Sequence, residues 1–374
     1  MSLFIFLVLI VYTIIIGTMI IGFEKVEEIK LQEDSKRLKF TIVIPFRNES
    51  ENLPLLLASL DRIAYPNSLF EVILVNDDSD DNSIEIIKGF KEKSKINLMV
   101  LENERLSSSP KKDAIDKGIQ EAKNEWIITT DADCIVQIYW LDAINTYILS
   151  SKKEFIIAPV SISPTKSILE RFQALETLIL QAITMGSYGL KNPLLSNGAN
   201  LIYNKSLFHL LKGFEGNNDV ASGDDIFLLQ KVSERNKNLI GYLKTNKATV
   251  FTKAEQSLEE LFSQKKRWLK KMGVKSNLLS LALGIIIILM NFTLLTFLVF
   301  ALLEPTYIKL LLQIAVVKFG VDFLLLFKSA RFFKQEKLLF SFWWISLVYP
   351  FYLFVVLFSS YFGPYKWKGR KFSA

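Results

Sequence analysis

The sequence predicts an α/β domain with a mostly parallel sheet, flanked by apolar helices at both ends of the chain. Between residues 40 and about 130, apolar runs typical of buried strands alternate with stretches of helical spacing. An uncharged apolar run covers residues 3–22, and further long apolar runs follow residue 278. Because roughly 20 apolar residues suffice to cross a bilayer as a helix, both ends are predicted to span a membrane.

Four strands and three helices are predicted in the first part of the α/β domain. Near-continuous apolar strands of this kind are typical of parallel sheets that helices cover on both faces. The predicted strands are residues 40–46, 70–81, 96–103 and 125–133. The predicted helices are residues 52–63, 82–93 and 111–123, the second capped by Asn82 or Ser83. A later run, residues 168–186, has helical spacing and is predicted to pack on the sheet.

The apolar N-terminal run predicts an uncleaved membrane anchor. Half of the 374 residues are hydrophobic and the mean hydropathy is +0.28, which is too apolar for an ordinary soluble domain. The run has neither a basic stretch before it nor a clear cleavage site after it, so it differs from a signal peptide. Several lysines and arginines between residues 25 and 39 place the middle of the chain in the cytoplasm by the positive-inside rule.

Three apolar stretches near the C-terminus raise a question of topology. Residues 278–303 and 307–327 predict two spans, and residues 338–362 form a third stretch that Pro350 interrupts. Lys318 and Asp322 lie one helical turn apart within these stretches and are predicted to neutralise each other. Three full spans would put the basic tail outside, against the charge rule. The sequence therefore favours re-entry at Pro350, with a failure of that rule for this tail as the alternative.

The residue composition restricts any metal site to oxygen ligands. The chain has one cysteine, Cys134, and one histidine, His209, which excludes an internal disulfide and a histidine-rich metal site. Asp131 and Asp133 end the fourth predicted strand, separated by one alanine. Two such carboxylates are costly side by side unless a cation lies between them, and residues i and i+2 can reach the same divalent ion.

Polar side chains lie at the ends of three of the four predicted strands, or directly after them. Because ligands of parallel sheets bind at the carboxyl ends of the strands, we expect these side chains to meet along one edge. Mg²⁺ and Mn²⁺ keep open positions for phosphate oxygens, which suits a nucleotide diphosphate as leaving group. No glycine-rich phosphate loop is present, so kinase, NTPase and dehydrogenase functions lose support. The side chains in question are Arg47, Asn48, Glu49, Asp77, Asp78, Asp131 and Asp133.

Seven motifs, in this order, resemble glycosyltransferase family 2. They are IPFRNESENLP, ILVNDDSDDNS, KKDAIDKGI, TTDADC, NGANLIYNK, SGDDIFLLQK and QKKRW. The resemblance covers about residues 40–270 and implies a Rossmann-like nucleotide-sugar domain of the GT-A fold. Each motif is weak alone, but the ordered set is specific.

On the donor side, the resemblance implies a nucleotide pocket and a divalent metal, Mg²⁺ or Mn²⁺. Asp77 would face the base and Lys112 would supply a basic contact, although the neighbouring lysine leaves the exact position open. Asp131 would contact the ribose or the metal, and Asp133 would bind the metal that bridges the diphosphate. The other implied donor-binding residues are Pro45, Arg47 and Glu49.

On the acceptor side, the resemblance implies an inverting reaction with an aspartate as general base. Asp225 of the Asp224-Asp225 pair is the predicted base; an N-cap of the following helix is the structural alternative. Gly198 would allow close approach of the backbone to a sugar. The implied residues around the acceptor and diphosphate are Gln264, Arg267 and Trp268, with Arg267 giving positive charge to the leaving group. Their segment is also basic and amphipathic, as in an interfacial helix.

These expectations predict an inverting, metal-dependent glycosyltransferase that acts at the cytoplasmic face of a bacterial inner membrane. The expected partners are a nucleotide sugar, typically a UDP-sugar, a membrane lipid or lipid-linked glycan acceptor, and the bilayer, with no nucleic acid. The alternatives are a processive polysaccharide synthase and a non-catalytic nucleotide-sugar-binding scaffold. The predicted organisation is an anchor at 1–23, a GT-A domain at 40–260, an interfacial helix at 256–276, a membrane region at 277–363 and a basic tail at 364–374.

Overall fold

A computed structural model of the chain divides into two compact units. It describes residues 2–32, 36–162, 166–217, 223–272 and 278–360, and the two short strands at 365–367 and 370–372. The sheet unit comprises Glu27–Ser163 and Leu195–Lys253. The helical unit comprises Met1–Val26, Pro164–Leu194 and Ala254–Ala374.

The sheet unit is built on a seven-stranded, mostly parallel sheet in the order β3-β2-β1-β4-β7-β5-β8. The first four strands run parallel to one another, and β7 runs antiparallel to both of its neighbours. A separate parallel pair joins β6 to β9. The strands of this unit are β1 Phe40–Phe46, β2 Phe70–Asn76, β3 Asn97–Glu102, β4 Trp126–Thr129, β5 Phe155–Ile157, β6 Val160–Ile162, β7 Leu201–Asn204, β8 Ile240–Tyr242 and β9 Val250–Thr252.

The predicted α/β class is confirmed, and the strands end earlier than the sequence pattern indicated. β2 ends at Asn76 and β4 at Thr129, so the acidic residues that follow lie in loops beyond the sheet. Each of β1 and β2 is buried along almost its whole length, as expected of strands covered on both faces. The helices of the sheet unit are α2 Leu53–Asp61, α3 Ser83–Lys91, α4 Pro110–Glu121, α5 Trp140–Ser150, α7 Lys205–Leu210 and α8 Asp224–Asn236.

Within its described residues, the helical unit contains four helices that are long and apolar enough to cross a membrane. The candidate spans are Leu3–Lys25, Leu278–Leu303, Pro305–Phe332 and Glu336–Ser359. The last helix continues through Pro350 without a break, so the re-entrant turn expected there does not form. The helices of this unit are α1 Ser2–Lys25, α6 Ile168–Gly189, α9 Leu258–Met272, α10 Leu278–Leu303, α11 Ile308–Phe332 and α12 Phe342–Ser360, followed by strands β10 Tyr365–Trp367 and β11 Arg370–Phe372.

The helix α6 does not have the neighbours that the sequence predicted. Its apolar spacing suggested a helix packed on the sheet, but α6 packs against α1 and α11 within the helical unit. The apolar spacing shows only that one face is buried and cannot identify the surface that buries it. α6 is therefore a further helix of the apolar bundle, inserted in sequence between β6 and β7.

Lys318 and Asp322 neutralise each other inside this bundle, as predicted. The Lys318 Nζ lies 2.8 Å from Asp322 Oδ2, and the Tyr12 hydroxyl donates to Asp322 Oδ1 at 2.5 Å. Lys318 and Tyr12 are both buried. The charges of Lys318 and Asp322 thus compensate each other within an apolar helix. The Asp322 carboxylate also links α11 to α1, because it accepts from Tyr12.

Glycines allow α1 and α6 to cross at backbone contact. A Cβ on Gly186 would lie 2.5 Å from the Met19 carbonyl oxygen, and one on Gly22 would overlap the Gly186 carbonyl. Such close approach between helices is typical of small residues in apolar bundles.

We expect Gly22→Leu to lower the free energy of unfolding by about 1–3 kcal/mol or more, because the added side chain must force the two backbones apart. The measurement is thermal unfolding of the full chain in detergent. Gly17→Leu is the matched control, since nothing lies within 4 Å of a Cβ at Gly17 on the same helix. Equal melting temperatures for the two variants would contradict the crossing.

Candidate active site

The loops after β1 and β2 meet at the carboxyl edge of the sheet, as the sequence predicted. The Arg47 guanidinium donates to the Asp77 carbonyl oxygen at 2.7 Å, donates also to the Asp78 carbonyl, and lies 3.3 Å from the Asp78 carboxylate. Asp77 is buried, whereas the Asp78 side chain is 77% exposed. Arg47 therefore joins the loops that follow β1 and β2. Pro45 lies one residue before the end of β1, paired in register with Val75.

Two residues after β3 complete this group and were missed by the sequence analysis. Asn103 donates to Asp77 Oδ1 at 2.9 Å, and Arg105 Nε lies 3.4 Å from the same oxygen. Asn103 also donates to the Pro110 carbonyl at 3.1 Å, which connects the group to the start of α4. Both follow a parallel strand, so the rule for strand ends would have identified them.

Glu49 lies in a network that orders the loop after β1. Its backbone N–H donates to Ser83 Oγ at 2.9 Å, and its carboxylate accepts from Asn52 at 2.6 Å. Asp81 accepts from the Ser50 and Ser83 N–H groups. Partial burial raises the pKa of Asp81, but these hydrogen bonds outweigh it and lower the pKa to about 2. Asn82 occupies the N-cap position of α3 without a side-chain hydrogen bond. The Asp81 carboxylate caps this helix instead, by accepting from the Ser83 N–H.

A lysine lies between two of the predicted carboxylates. Lys111 Nζ is 2.7 Å from Asp131 Oδ1 and 3.6 Å from Asp224 Oδ2. The three residues come from the start of α4, the loop after β4 and the first turn of α8. Burial lowers the pKa of Lys111, but the carboxylates of Asp131 and Asp224, and the more distant Asp225, raise it well above its ordinary value. Lys111 is thus a fixed cation between Asp131 on the predicted donor side and Asp224, the residue that precedes the predicted base.

The neighbouring Lys112, which the sequence favoured as the basic contact, has a different environment. It is 1% exposed, its ammonium donates to the Asn217 carbonyl at 2.6 Å, and it lies 4.7 Å from the centroid of the Phe227 ring. Lys112 therefore packs α4 against the segments around α8. The ammonium beside Asp131 belongs to Lys111.

The start of α8 brings the predicted base beside Gly198. Gly223 precedes the helix with φ +87°, a conformation that favours glycine, and the helix begins with Asp224 and Asp225. The Gly198 N–H donates to Asp225 Oδ2 at 3.3 Å, and a Cβ on Gly198 would lie 2.7 Å from Asp224 Oδ2. Any other residue at position 198 would therefore displace Asp224. Ser222 of the same motif lies outside the described residues.

Asp133 lies near Asp131 in sequence but has its own partners. The Thr252 hydroxyl donates to Asp133 Oδ2 at 3.2 Å, and Cys134 lies beside its other oxygen. Burial, followed by the charges of Asp133 and Asp131, raises the pKa of the Cys134 thiol and favours its protonated form.

A metal at this site would need ligands besides the protein's own side chains. In the part of the chain that the structure describes, no three His, Cys, Asp or Glu residues form a group able to hold a metal by themselves. Mg²⁺ commonly binds through one or two carboxylates and the phosphates of its substrate. Asp131 and Asp133 provide that kind of donor set.

Gln264, Arg267 and Trp268 all lie on α9, in the helical unit. Gln264 donates to the Glu255 carboxylate at 2.7 Å, and the Lys265 ammonium lies 4.0 Å from the centroid of the Trp268 ring. The predicted site residues thus come from both units, with the carboxylates and Lys111 in the sheet unit.

Residues 41–207 match the family model for Glycosyl transferase family 2. The probable glycosyltransferase YdaM of Bacillus subtilis (strain 168) is 26% identical over 209 residues, which cover 54% of this chain and 49% of YdaM. The undecaprenyl-phosphate 4-deoxy-4-formamido-L-arabinose transferase of Yersinia enterocolitica is 34% identical over 108 residues, which cover 28% of this chain and 31% of that protein.

The chain contains a glycosyltransferase family 2 domain. The solved structure of the mannosyltransferase PcManGT from Pyrobaculum calidifontis, in complex with GDP-Man and Mn²⁺, matches with a TM-score of 0.55. It is 14% identical, and the match covers 96% of this chain and 99% of that chain, which shows a shared GT-A-like fold. The chain spans about half the length of YdaM and about a third of the Yersinia transferase.

Proposed function

We propose that the chain is a membrane-anchored, inverting glycosyltransferase that moves a sugar from a nucleotide donor to a membrane lipid or lipid-linked acceptor. The observation that carries this proposal is the Lys111 ammonium held between Asp131 and Asp224, beside Asp225, in a family 2 domain. The four apolar helices support membrane attachment. Lipid as acceptor draws support from the Yersinia relative, whose name specifies undecaprenyl phosphate.

The arrangement divides the reaction between two groups of residues. Asp77, Arg47 and Glu49 would hold the nucleotide at the ends of β1 and β2, with Asp131 near its ribose or phosphates. Asp225 would take the proton from the acceptor hydroxyl as the bond to the anomeric carbon forms. Arg267 would neutralise the departing diphosphate. A divalent metal held by Asp133 and Asp131 would supply further positive charge to that leaving group.

The proposed location is a bacterial cell membrane with the catalytic residues on its cytoplasmic side. The lysines and arginines between residues 25 and 39 support this orientation. α9 would lie at the membrane surface and present Gln264, Arg267 and Trp268 to the acceptor. The proposed interfacial helix and the basic tail correspond to residues 256–276 and 364–374.

Mass spectrometry of membrane lipids from cells with and without the gene tests this function. We expect a lipid one hexose or hexosamine heavier to disappear with the gene, and a polymer of the same sugar would instead favour a processive synthase. An unchanged lipid and glycan profile, together with no donor turnover by the purified protein, would leave only the nucleotide-sugar-binding scaffold.

We expect Asp133→Asn to lower sugar transfer by about 100-fold or more, because a carboxylate that binds metal and diphosphate loses its charge. The direct measurement is UDP binding by calorimetry with Mn²⁺ and with EDTA. The parent protein should bind UDP more tightly with Mn²⁺, and Asp133→Asn should lose that difference. If the variant keeps the Mn²⁺ effect, Asp133 is not the metal ligand.

A further inference from the structure

The segment that carries Gln264 and Trp268 contacts α6 at two places within the helical unit, through hydrogen bonds and through an ion pair. Gln173 of α6 binds the backbone of Glu255 with both ends of its amide, donating to the carbonyl and accepting from the N–H, each at 2.9 Å. The Glu255 carboxylate in turn accepts from Gln264 at 2.7 Å. Gln173 is 3% exposed, so these bonds are sheltered from competition with water.

The second contact is an ion pair one turn further along α6. Lys265 Nζ lies 2.6 Å from Glu176 Oε2, with the two side chains 9% and 14% exposed. The same ammonium lies over the Trp268 ring, 4.0 Å from its centroid. A cation at this distance from an indole face is attracted by the ring, and more strongly when it is desolvated. Glu176, Lys265 and Trp268 therefore form one stack.

The spacing of these residues places the contacts on one face of each helix. Gln173 and Glu176 are three residues apart on α6 and so lie on one face of that helix. Lys265 and Trp268 have the same spacing on α9. Capping boxes begin both helices, through Ser167 and Glu170 on α6 and through Ser257 and Glu260 on α9. α6 thus holds one face of α9 and the segment before it through polar contacts, while α12 packs against the same helix.

We propose that Glu176 and Gln173 are positioning residues that orient Trp268 and Gln264 for the acceptor. The inference rests on the proposed function, in which those two residues act beside the acceptor and the diphosphate. Neither positioning residue contacts substrate. Glu176 acts through Lys265, and Gln173 acts through Glu255. The helix α6, which lies between β6 and β7 in sequence, would thus orient the side chains of α9 that act on the acceptor.

The test uses the full chain in vesicles of phosphatidylglycerol that contain undecaprenyl phosphate, with UDP-N-acetylglucosamine and GDP-mannose as probe donors. Misplacement of a reacting group by about 1 Å can cost on the order of 100-fold, so we expect Glu176→Gln and Lys265→Met to lower transfer by about 10- to 100-fold. Lys265→Arg keeps both the ion pair and the cation over the ring, and it should retain transfer. UDP affinity should stay unchanged in all three variants.

The position of Trp268 is measured independently of activity by its fluorescence, taken as the difference between each protein and the same protein with Trp268→Phe. We expect Glu176→Gln and Lys265→Met to change this difference spectrum, and Lys265→Arg to keep it. Glu24→Gln, which breaks an exposed ion pair to Lys328 in the same unit, is the matched control and should change nothing.

Two results would overturn the inference. One is a Glu176→Gln variant with parental transfer and a parental Trp268 spectrum. The other is loss of UDP affinity in parallel with transfer, which indicates general destabilisation and not positioning. If the parent itself transfers no sugar with these probes, the proposed function fails, and the Trp268 spectra alone decide whether α6 positions α9.

Discussion

We expect Asp225→Asn to lower sugar transfer by about 10²- to 10⁴-fold, the usual contribution of a general base, and to retain UDP binding. The amide cannot take a proton from the acceptor hydroxyl at neutral pH, yet it has nearly the same shape. In the native chain the two carboxylate oxygens accept from the Ile226 and Gly198 N–H groups at 2.8 Å and 3.3 Å. Asparagine keeps one of these acceptors, so we expect a stability loss of only about 1 kcal/mol.

Two further variants make this result specific. Asp224→Asn removes the carboxylate that faces Lys111 and should lower transfer less than Asp225→Asn, because Asp224 already has a cationic partner. Asp61→Asn changes an exposed carboxylate on α2 that accepts from Ser94, and it should leave transfer unchanged. If Asp225→Asn is fully active and Asp224→Asn is inactive, the base is Asp224 and not Asp225.

We expect Lys111→Met to lower both the free energy of unfolding and the affinity for UDP. It leaves Asp131 and Asp224 without the cation between them, and Asp224 is 7% exposed. Breaking a fully buried pair costs about 3–5 kcal/mol, but the Asp131 side chain is 34% exposed, so we expect about 1–3 kcal/mol. The lost charge beside the donor phosphates should weaken UDP binding by about tenfold.

The neighbouring lysine supplies the control for this variant. Lys112→Met removes the hydrogen bond to Asn217 and should lower stability with little change in the UDP affinity of the folded protein. Lys111→Arg keeps the charge and should retain part of the stability and part of the UDP affinity that Lys111→Met loses. Calorimetry with UDP and thermal unfolding distinguish the two positions. If UDP affinity falls in Lys112→Met and not in Lys111→Met, the donor contact is Lys112, as the sequence first indicated.

The parallel part of the fold could be predicted from the sequence because its signals are local. β1 begins and ends at the predicted residues, since a run of buried apolar residues is bounded by polar ones. The edge where Arg47 and Asp77 meet followed from the rule for strand ends. The short strands β5 to β9 carry only three or four residues each, which is too little for a periodic pattern.

Long-range contacts could not be predicted because single-sequence patterns do not report partners. The sequence could not show that Lys111 reaches Asp224, more than 100 positions away, whereas Lys112 faces the interior. The partner of Glu176 is Lys265, on another helix, and no local signal indicates it. For α6, periodicity predicted the helix correctly but not the helices that cover it.

We propose that this chain transfers sugar from a nucleotide to a membrane lipid. The most direct measurement follows the full chain in vesicles with and without an acceptor lipid that carries a hydroxyl, such as a diacylglycerol, counting nucleoside diphosphate released and sugar bound to lipid for a panel of UDP- and GDP-sugars. We expect release of one diphosphate per sugar bound, only with the acceptor lipid, and loss of both in Asp225→Asn. Diphosphate release that is independent of the lipid, or that persists in Asp225→Asn, would contradict the account.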